Sequence, residues 1–213
     1  MELLAPAGSR KALTAAVQSG ADAVYLGGPQ FGARYSAENF TIEEMKTWVD
    51  YCHLYGVDVH VTVNTLVKEK EIESLKEYLK QLNKIGVDAF IVQDMGAVEI
   101  IKKTVPDMTL HASTQMTVTS LEGVKYLEDM GFSRVVLARE LSEKEIEHIC
   151  KNAKAEIEVF VHGAICMCYS GQCLMSSILG GRSGNRGRCA QPCRLPYDLL
   201  ENGKTVKSGY VLS

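Results

Sequence analysis

The sequence predicts an α/β protein: a (β/α)8 TIM-type barrel of parallel strands, truncated at its last strand. Three observations carry this expectation. Short β-rich apolar runs alternate with segments of helical spacing from Glu2 to Val161, with no hairpin signal between them, which is the pattern of parallel βα units. One motif recurs as SGADAVYLG, YGVDVHVTV, IGVDAFIVQ and MGFSRVVLA. Each copy reads as a helix end, a glycine, a short turn and a strand buried on both faces. No glycine-rich dinucleotide fingerprint follows the first strand, so an open doubly wound sheet with a nucleotide crevice has no support.

The elements follow in order. Strands are expected at Glu2–Leu4, Ala23–Leu26, Val57–Val63, Ala89–Val92, Thr109–Ala112, Arg134–Leu137 and Ile157–Val161. Helices are expected between them at Ser9–Ser19, Thr41–Tyr55, Ile72–Ile85, Gly96–Thr104, Ser120–Met130 and Ser142–Asn152. Thr41 with Glu44, and Ser142 with Glu145, read as capping boxes at two helix starts. Gly20, Gly56, Gly86 and Gly131 each follow a helix, where a left-handed residue stops it. Tyr210–Leu212 is expected to begin an eighth strand. The domain plan is a βα barrel core over residues 1–162, a cysteine-rich loop insertion at 163–195, and the start of barrel closure at 196–213. The chain is expected to be a fragment of a longer protein.

Composition narrows the function classes. The 213 residues are 46% hydrophobic and 23% charged, with a net charge of −3, an ordinary globular profile. Collagen-like, disordered and low-complexity readings are excluded. No apolar stretch reaches the roughly 18 residues of a membrane helix. The start MELLAPAGSRKAL lacks a basic, then apolar, secretory pattern. The cytoplasm is therefore expected, and there seven cysteines need another explanation than disulfides. Cys166, Cys168, Cys173, Cys189 and Cys193 crowd one segment. From Ile178 onward there are six basic and two acidic residues, while the preceding part holds 17 of the 23 bases and 24 of the 26 acids. A basic, cysteine-rich end thus follows an acidic body.

Barrel chemistry belongs where strands end and loops begin. Those positions hold Asn64, Gln93, Asp94, His111, Ser113, Gln115, Arg139, Glu140 and His162. Of these, His162, Arg139, Asn64 and Gln93 are the catalytic candidates, although any strand surfacing into a loop also turns polar. His60 and His111 lie inside apolar runs and read as wall histidines; His53 and His148 lie on helices and read as solvated. The cysteine-rich segment is more specific. Cys166, Cys173, Cys189 and Cys193 are spaced Cys-x6-Cys-x15-Cys-x3-Cys. Four thiolates from one loop fit a metal or iron–sulfur site. Zinc would more typically show paired Cys-x2-Cys knuckles, which favours a [4Fe–4S] cluster. Zinc, and reduced thiols with no metal, stay as alternatives. Cys168 is a spare thiol. Arg182, Arg186, Arg188 and Arg194, set among Gly, Ser and Asn, are candidates to bind a carboxylate or RNA phosphate; the bland reading is a solvated turn. No His-Glu-x-x-His or Gly-x-Ser-x-Gly motif is present, and a His162/Cys166 pair lacks a recognisable third group.

At these residues the chain resembles a known family. Its signature, Glu-x-Phe-x-x-Gly-[small]-[aliphatic]-Cys-x4-Gly-x-Cys-x-[aliphatic]-Ser, reads here as Glu158, Phe160, Gly163, Ala164, Ile165, Cys166, Gly171, Cys173, Met175 and Ser176. The opening ELLAPAG and ALTAAVQSGADAVYLGG are similar too, so the resemblance spans nearly the whole chain. These are the collagenase-like peptidases of unknown catalytic type, peptidase family thirty-two. The resemblance implies one of two activities. Some members are described as collagen-degrading. Others act in oxygen-independent hydroxylation, forming 5-hydroxyuridine in tRNA, hydroxylating a ribosomal RNA cytidine or serving ubiquinone synthesis. It further implies a [4Fe–4S] cluster on Cys166, Cys173, Cys189 and Cys193. Prephenate, a small carboxylate, is implied as an oxygen source for the RNA members, alongside an electron donor. Members are typically near twice this length. The leading expectation is RNA hydroxylation; a peptidase with a cysteine nucleophile and His162 as base is the alternative, and a non-catalytic binding scaffold the third.

Overall fold

The computed structural model describes residues 1–35, 37–163 and 165–212. Seven strands, β1 (Leu4–Pro6), β2 (Ala23–Gly27), β3 (Asp58–Val63), β4 (Ala89–Val92), β5 (Thr109–Ala112), β6 (Arg134–Val136) and β7 (Glu156–Glu158), form one parallel sheet in sequential order. Between them run α1 (Arg10–Gln18), α2 (Ile42–Leu54), α3 (Ile72–Ile85), α4 (Met95–Thr104), α5 (Leu121–Asp129) and α6 (Glu143–Asn152). A doubly wound sheet reverses its strand order at a switch point; sequential order throughout is the barrel arrangement.

Two contacts show how far the sheet curls. Parallel neighbours lie about 4.8 Å apart, so β1 and β6 would stand roughly 24 Å apart in a flat sheet. Instead the Arg134 guanidinium at the start of β6 donates to both carboxylate oxygens of Glu2, just before β1, at 2.5 Å each. The rings of His60 on β3 and His111 on β5 meet edge to face with centroids 4.6 Å apart. The strands are a barrel wall.

Alternation along each strand sorts the two faces. Val24 and Leu26, Val59, Val61 and Val63, and Phe90 and Val92 pack outward into one apolar core with helix residues such as Leu13, Met45, Leu79 and Ile101. The helices stop as expected: Gly20, Gly56, Gly86 and Gly131 all have φ between +69° and +85°. Thr41 and Glu44 exchange both capping hydrogen bonds. At α6 the backbone N–H and hydroxyl of Ser142 both donate to Glu145, at 2.7 and 2.6 Å.

The inner face is mixed: the intervening strand positions bear Tyr25, His60, Thr62, His111, Arg134 and Glu158 beside Ala89, Ile91 and Val136. Two findings differ from the expectation. The β7 ladder ends at Glu158, and Val159, Phe160 and Val161 are exposed. Tyr210–Leu212 begins no eighth strand. Residues 196–213, expected to start barrel closure, instead contribute a hairpin, β8 (Tyr197–Glu201) with β9 (Lys204–Gly209), as a separate antiparallel sheet. The reason is local. Asn202 (φ +50°) and Gly203 (φ +77°) both occupy the left-handed region, as a two-residue hairpin turn requires, and Asn-Gly is the strongest short signal for it.

Candidate functional site

The cysteine-rich segment lies as a strap across the C-terminal mouth of the barrel. Its first half docks on the loops after β5 and β6. Ser170, 2% exposed, donates its backbone N–H to Glu140 at 3.3 Å and accepts from the Thr117 hydroxyl through its carbonyl at 2.5 Å. Arg139 Nη2 donates to Ser170 Oγ at 3.1 Å and to Cys166 Sγ at 3.4 Å. Gly171, at φ +79°, presses on the Gln115 carbonyl so closely that a Cβ would sit 2.1 Å from its oxygen. The family-type glycine is thus required by backbone contact.

The second half docks on the loops after β2, β3 and β4. The Asn185 carbonyl accepts from Gln93 Nε2 at 3.0 Å and from the Leu66 N–H at 3.2 Å. Arg186 donates to the Leu66 carbonyl at 2.6 Å and forks onto Glu71 at 3.0 and 2.7 Å. That fork, helped by the Lys68 N–H, holds the Glu71 carboxyl down to about 2. Between the halves, α7 (Met175–Gly180) is tied back by Ser176 Oγ, which accepts from the Ala190 N–H at 2.9 Å.

The four catalytic candidates fall into two pairs. Asn64 and Gln93 meet at the ends of β3 and β4, where Gln93 Nε2 donates to the Asn64 carbonyl at 2.7 Å. Asn64 Oδ1 also accepts from the Ala33 N–H at 2.9 Å. The Gln93 side chain therefore holds the strap through Asn185, while the Asn64 side chain ties the loop after β2 to Ser113. Arg139 and His162 line a separate cleft of about 240 Å³ with Leu137, Ile146 and Phe160. The Arg139 guanidinium lies 5.5 Å from the Phe160 ring centroid. Among the described residues no hydrogen bond joins His162 to Cys166.

The arginines separate as well. Arg186, expected to face substrate, pairs with Glu71 and clamps the strap to the loop after β3. Arg194 Nη2 donates to the Ile165 carbonyl. Arg188 covers the Tyr35 ring at 4.6 Å, and Arg182 Nε reaches the Arg188 carbonyl at 3.5 Å.

All seven cysteines are free thiols. Cys168 and Cys173 interact across the turn closed by the Gln172 N–H on the Tyr169 carbonyl at 3.1 Å, and burial, then the neighbouring Cys173, raises the Cys168 thiol against the pull of the Tyr169 backbone. Gly184 lies 3.6 Å, by an added Cβ, from Cys189 Cβ and 3.9 Å from the Cys173 carbonyl. The Arg194–Ile165 bond brings the residue after Cys193 to the residue before Cys166. The donor set, four free thiols drawn onto one strap, fits the chemistry of a thiolate-held cluster. Among the described residues, no three Cys, His, Asp or Glu side chains stand in ligating geometry. Ala164 of the signature lies outside the described residues.

Below the mouth, the inner wall holds His60 and His111, expected there as wall histidines, and Glu158, which was not among the strand-end candidates. Glu158 is pushed up to about 7 by burial, against the pull of Arg134. His111 is pushed down to about 3 by burial, and His60 is lowered for the same reason. Glu158 Oε2 and both Nδ1 atoms are buried without a hydrogen-bond partner. A charged residue at an alternate strand position was the available signal.

Fold and mouth together define a parallel βα-barrel protein with a cysteine-rich strap over its C-terminal face. The chain belongs to peptidase family U32, whose model matches residues 8–213. It is 45% identical over 208 residues to a 23S rRNA 5-hydroxycytidine synthase of Escherichia coli, covering 98% of this chain and 31% of that protein. It is 42% identical over 200 residues to a tRNA hydroxylation protein of Bacillus subtilis, covering 94% and 47%. A collagenase of Porphyromonas gingivalis is 33% identical, covering 100% and 54%. The chain thus spans a third to about half the length of these relatives. The solved structure of a U32 peptidase superposes with a TM-score of 0.62 at 20% identity, covering 75% of this chain and 68% of that one; at that identity the likeness shows the fold.

Proposed function

We propose that this chain is the barrel part of an iron–sulfur-dependent, oxygen-independent RNA hydroxylase acting on tRNA or rRNA. The observation that carries the reading is the strap: four free thiols held over the face where barrel enzymes react. The relatives named for tRNA and rRNA hydroxylation support the substrate class. Cys166, Cys173, Cys189 and Cys193 would hold the cluster, which supplies electron transfer when bound. Gln93, itself held by the Asn64 carbonyl, and the Arg186–Glu71 clamp fix the strap over the mouth. The cleft beside it would take a small carboxylate such as prephenate. Its walls are largely aliphatic and aromatic, and Arg139 and His162 are its polar groups. Arg139 would orient the carboxylate, and His162 would hold or pass a proton at the open edge. An electron donor completes the partners.

The test is a complemented deletion strain. RNA from cells carrying Cys173→Ser should lose the hydroxylated nucleoside by mass spectrometry, while the wild-type gene restores it. Full hydroxylation in the Cys173→Ser strain sinks the role of the cluster. The peptidase reading, supported by family names, predicts gelatin hydrolysis that cysteine alkylation abolishes.

A further inference from the structure

Tyr35 stands on the loop between β2 and α2, 59% exposed. One face of its ring is covered by the Arg188 guanidinium at 4.6 Å. Strap and loop are locked together at this point. Gly187 has φ +75°, and a Cβ there would lie 2.7 Å from the Gly32 carbonyl oxygen. The neighbouring cations differ in state. Arg186 is neutralised by Glu71. Among the described residues, no carboxylate pairs with Arg182, Arg188 or Arg34. The Arg182 side chain is drawn to the Arg188 backbone, and the Arg34 charge reaches Tyr25 at the barrel wall. An exposed ring with a guanidinium behind it and spare positive charge beside it lies at the rim of the mouth.

Resting on the RNA reading above, the geometry points to Tyr35 and Arg188 as a stacking platform for one unpaired base of a single-stranded RNA segment. The open face of Tyr35 takes the base. Arg188 backs the ring, and Arg182 and Arg188 neutralise the adjoining phosphates. Aromatic rings read single-stranded RNA this way because a base in a duplex has no free face. Stacking on an aromatic side chain contributes about 1–3 kcal/mol per base, and the guanidinium strengthens the layer.

The experiment is fluorescence anisotropy on this chain with a labelled single-stranded RNA and its duplex. Tyr35→Phe should bind the single strand within about twofold of wild type. Tyr35→Ala should weaken it by about 5- to 160-fold, the range that 1–3 kcal/mol gives. Tyr35→Leu, which keeps apolar bulk without the ring, should behave like Tyr35→Ala and guards against a local folding defect. Duplex binding should be weaker and the same in all four proteins. Unchanged single-strand binding by Tyr35→Ala and Tyr35→Leu overturns the platform and leaves the RNA reading standing. Equal losses on single strand and duplex also overturn it. Absence of any RNA binding by wild type overturns the RNA reading and the platform together.

Discussion

At the scale of residues, the inner wall carries charged groups in a half-buried setting. Arg134, its side chain 8% exposed, is held by Glu2 and Glu156, with Glu158 at 3.7 Å. Glu158 Oε2 is buried without a hydrogen bond, and burial favours its neutral form. The sign for stability follows from proton counting. The unfolded chain releases this proton near 4.5, while the fold retains it to about 7. Between those values the native state binds more protons, so Glu158 lowers stability as pH rises. Glu158→Gln should flatten that fall and raise the melting temperature at pH 8 relative to wild type, with little change at pH 4.5. A variant less stable at both pH values would contradict the buried-carboxyl account. Glu71 has the opposite sign. Its depressed carboxyl contributes stability that is present above 4.5 and lost as pH falls toward about 2.

At the scale of elements, the strap is held by a few specific contacts rather than by an apolar core. Cys166, Cys168 and Cys189 are exposed, as are Ile165, Leu174 and Ile178. Removing a clamp should therefore release the strap without unfolding the barrel, as expected of a low-stability unit. Arg186→Ala should speed hydrogen exchange at residues 184–188 by at least about tenfold, the equivalent of 1.4 kcal/mol, while β3 and β4 keep their protection. Loss of protection throughout the sheet would show that the strap is integral to the barrel. The hairpin teaches a separate lesson. Asn202-Gly203 lies in plain view, yet counting strands toward a closed barrel directs attention past it to Tyr210–Leu212. A two-residue turn with both φ values positive overrides the expectation of one more parallel strand.

At the scale of the molecule, helix periodicity, caps and post-helix glycines made the six βα units and the seventh strand legible, because each of these signals is local. The strand limits shifted only at the ends. β1 starts at Leu4, since Glu2 turns to Arg134, and β7 stops where the ladder stops. The site was legible by composition and not by arrangement. Crowded cysteines and arginines marked the strap. Which arginine is a clamp depends on Glu71, more than a hundred residues away in sequence. Tyr35 carried no motif at all. Its role comes from the approach of Gly187 to Gly32, a tertiary contact that no spacing encodes.

The central claim is that the strap is a cluster-binding device, and iron and acid-labile sulfide per chain after anaerobic preparation test it most directly. About four of each, with a broad visible absorption that Cys173→Ser loses, is the result this account predicts. Zinc in place of iron, or a metal-free chain whose thiols all titrate, contradicts it.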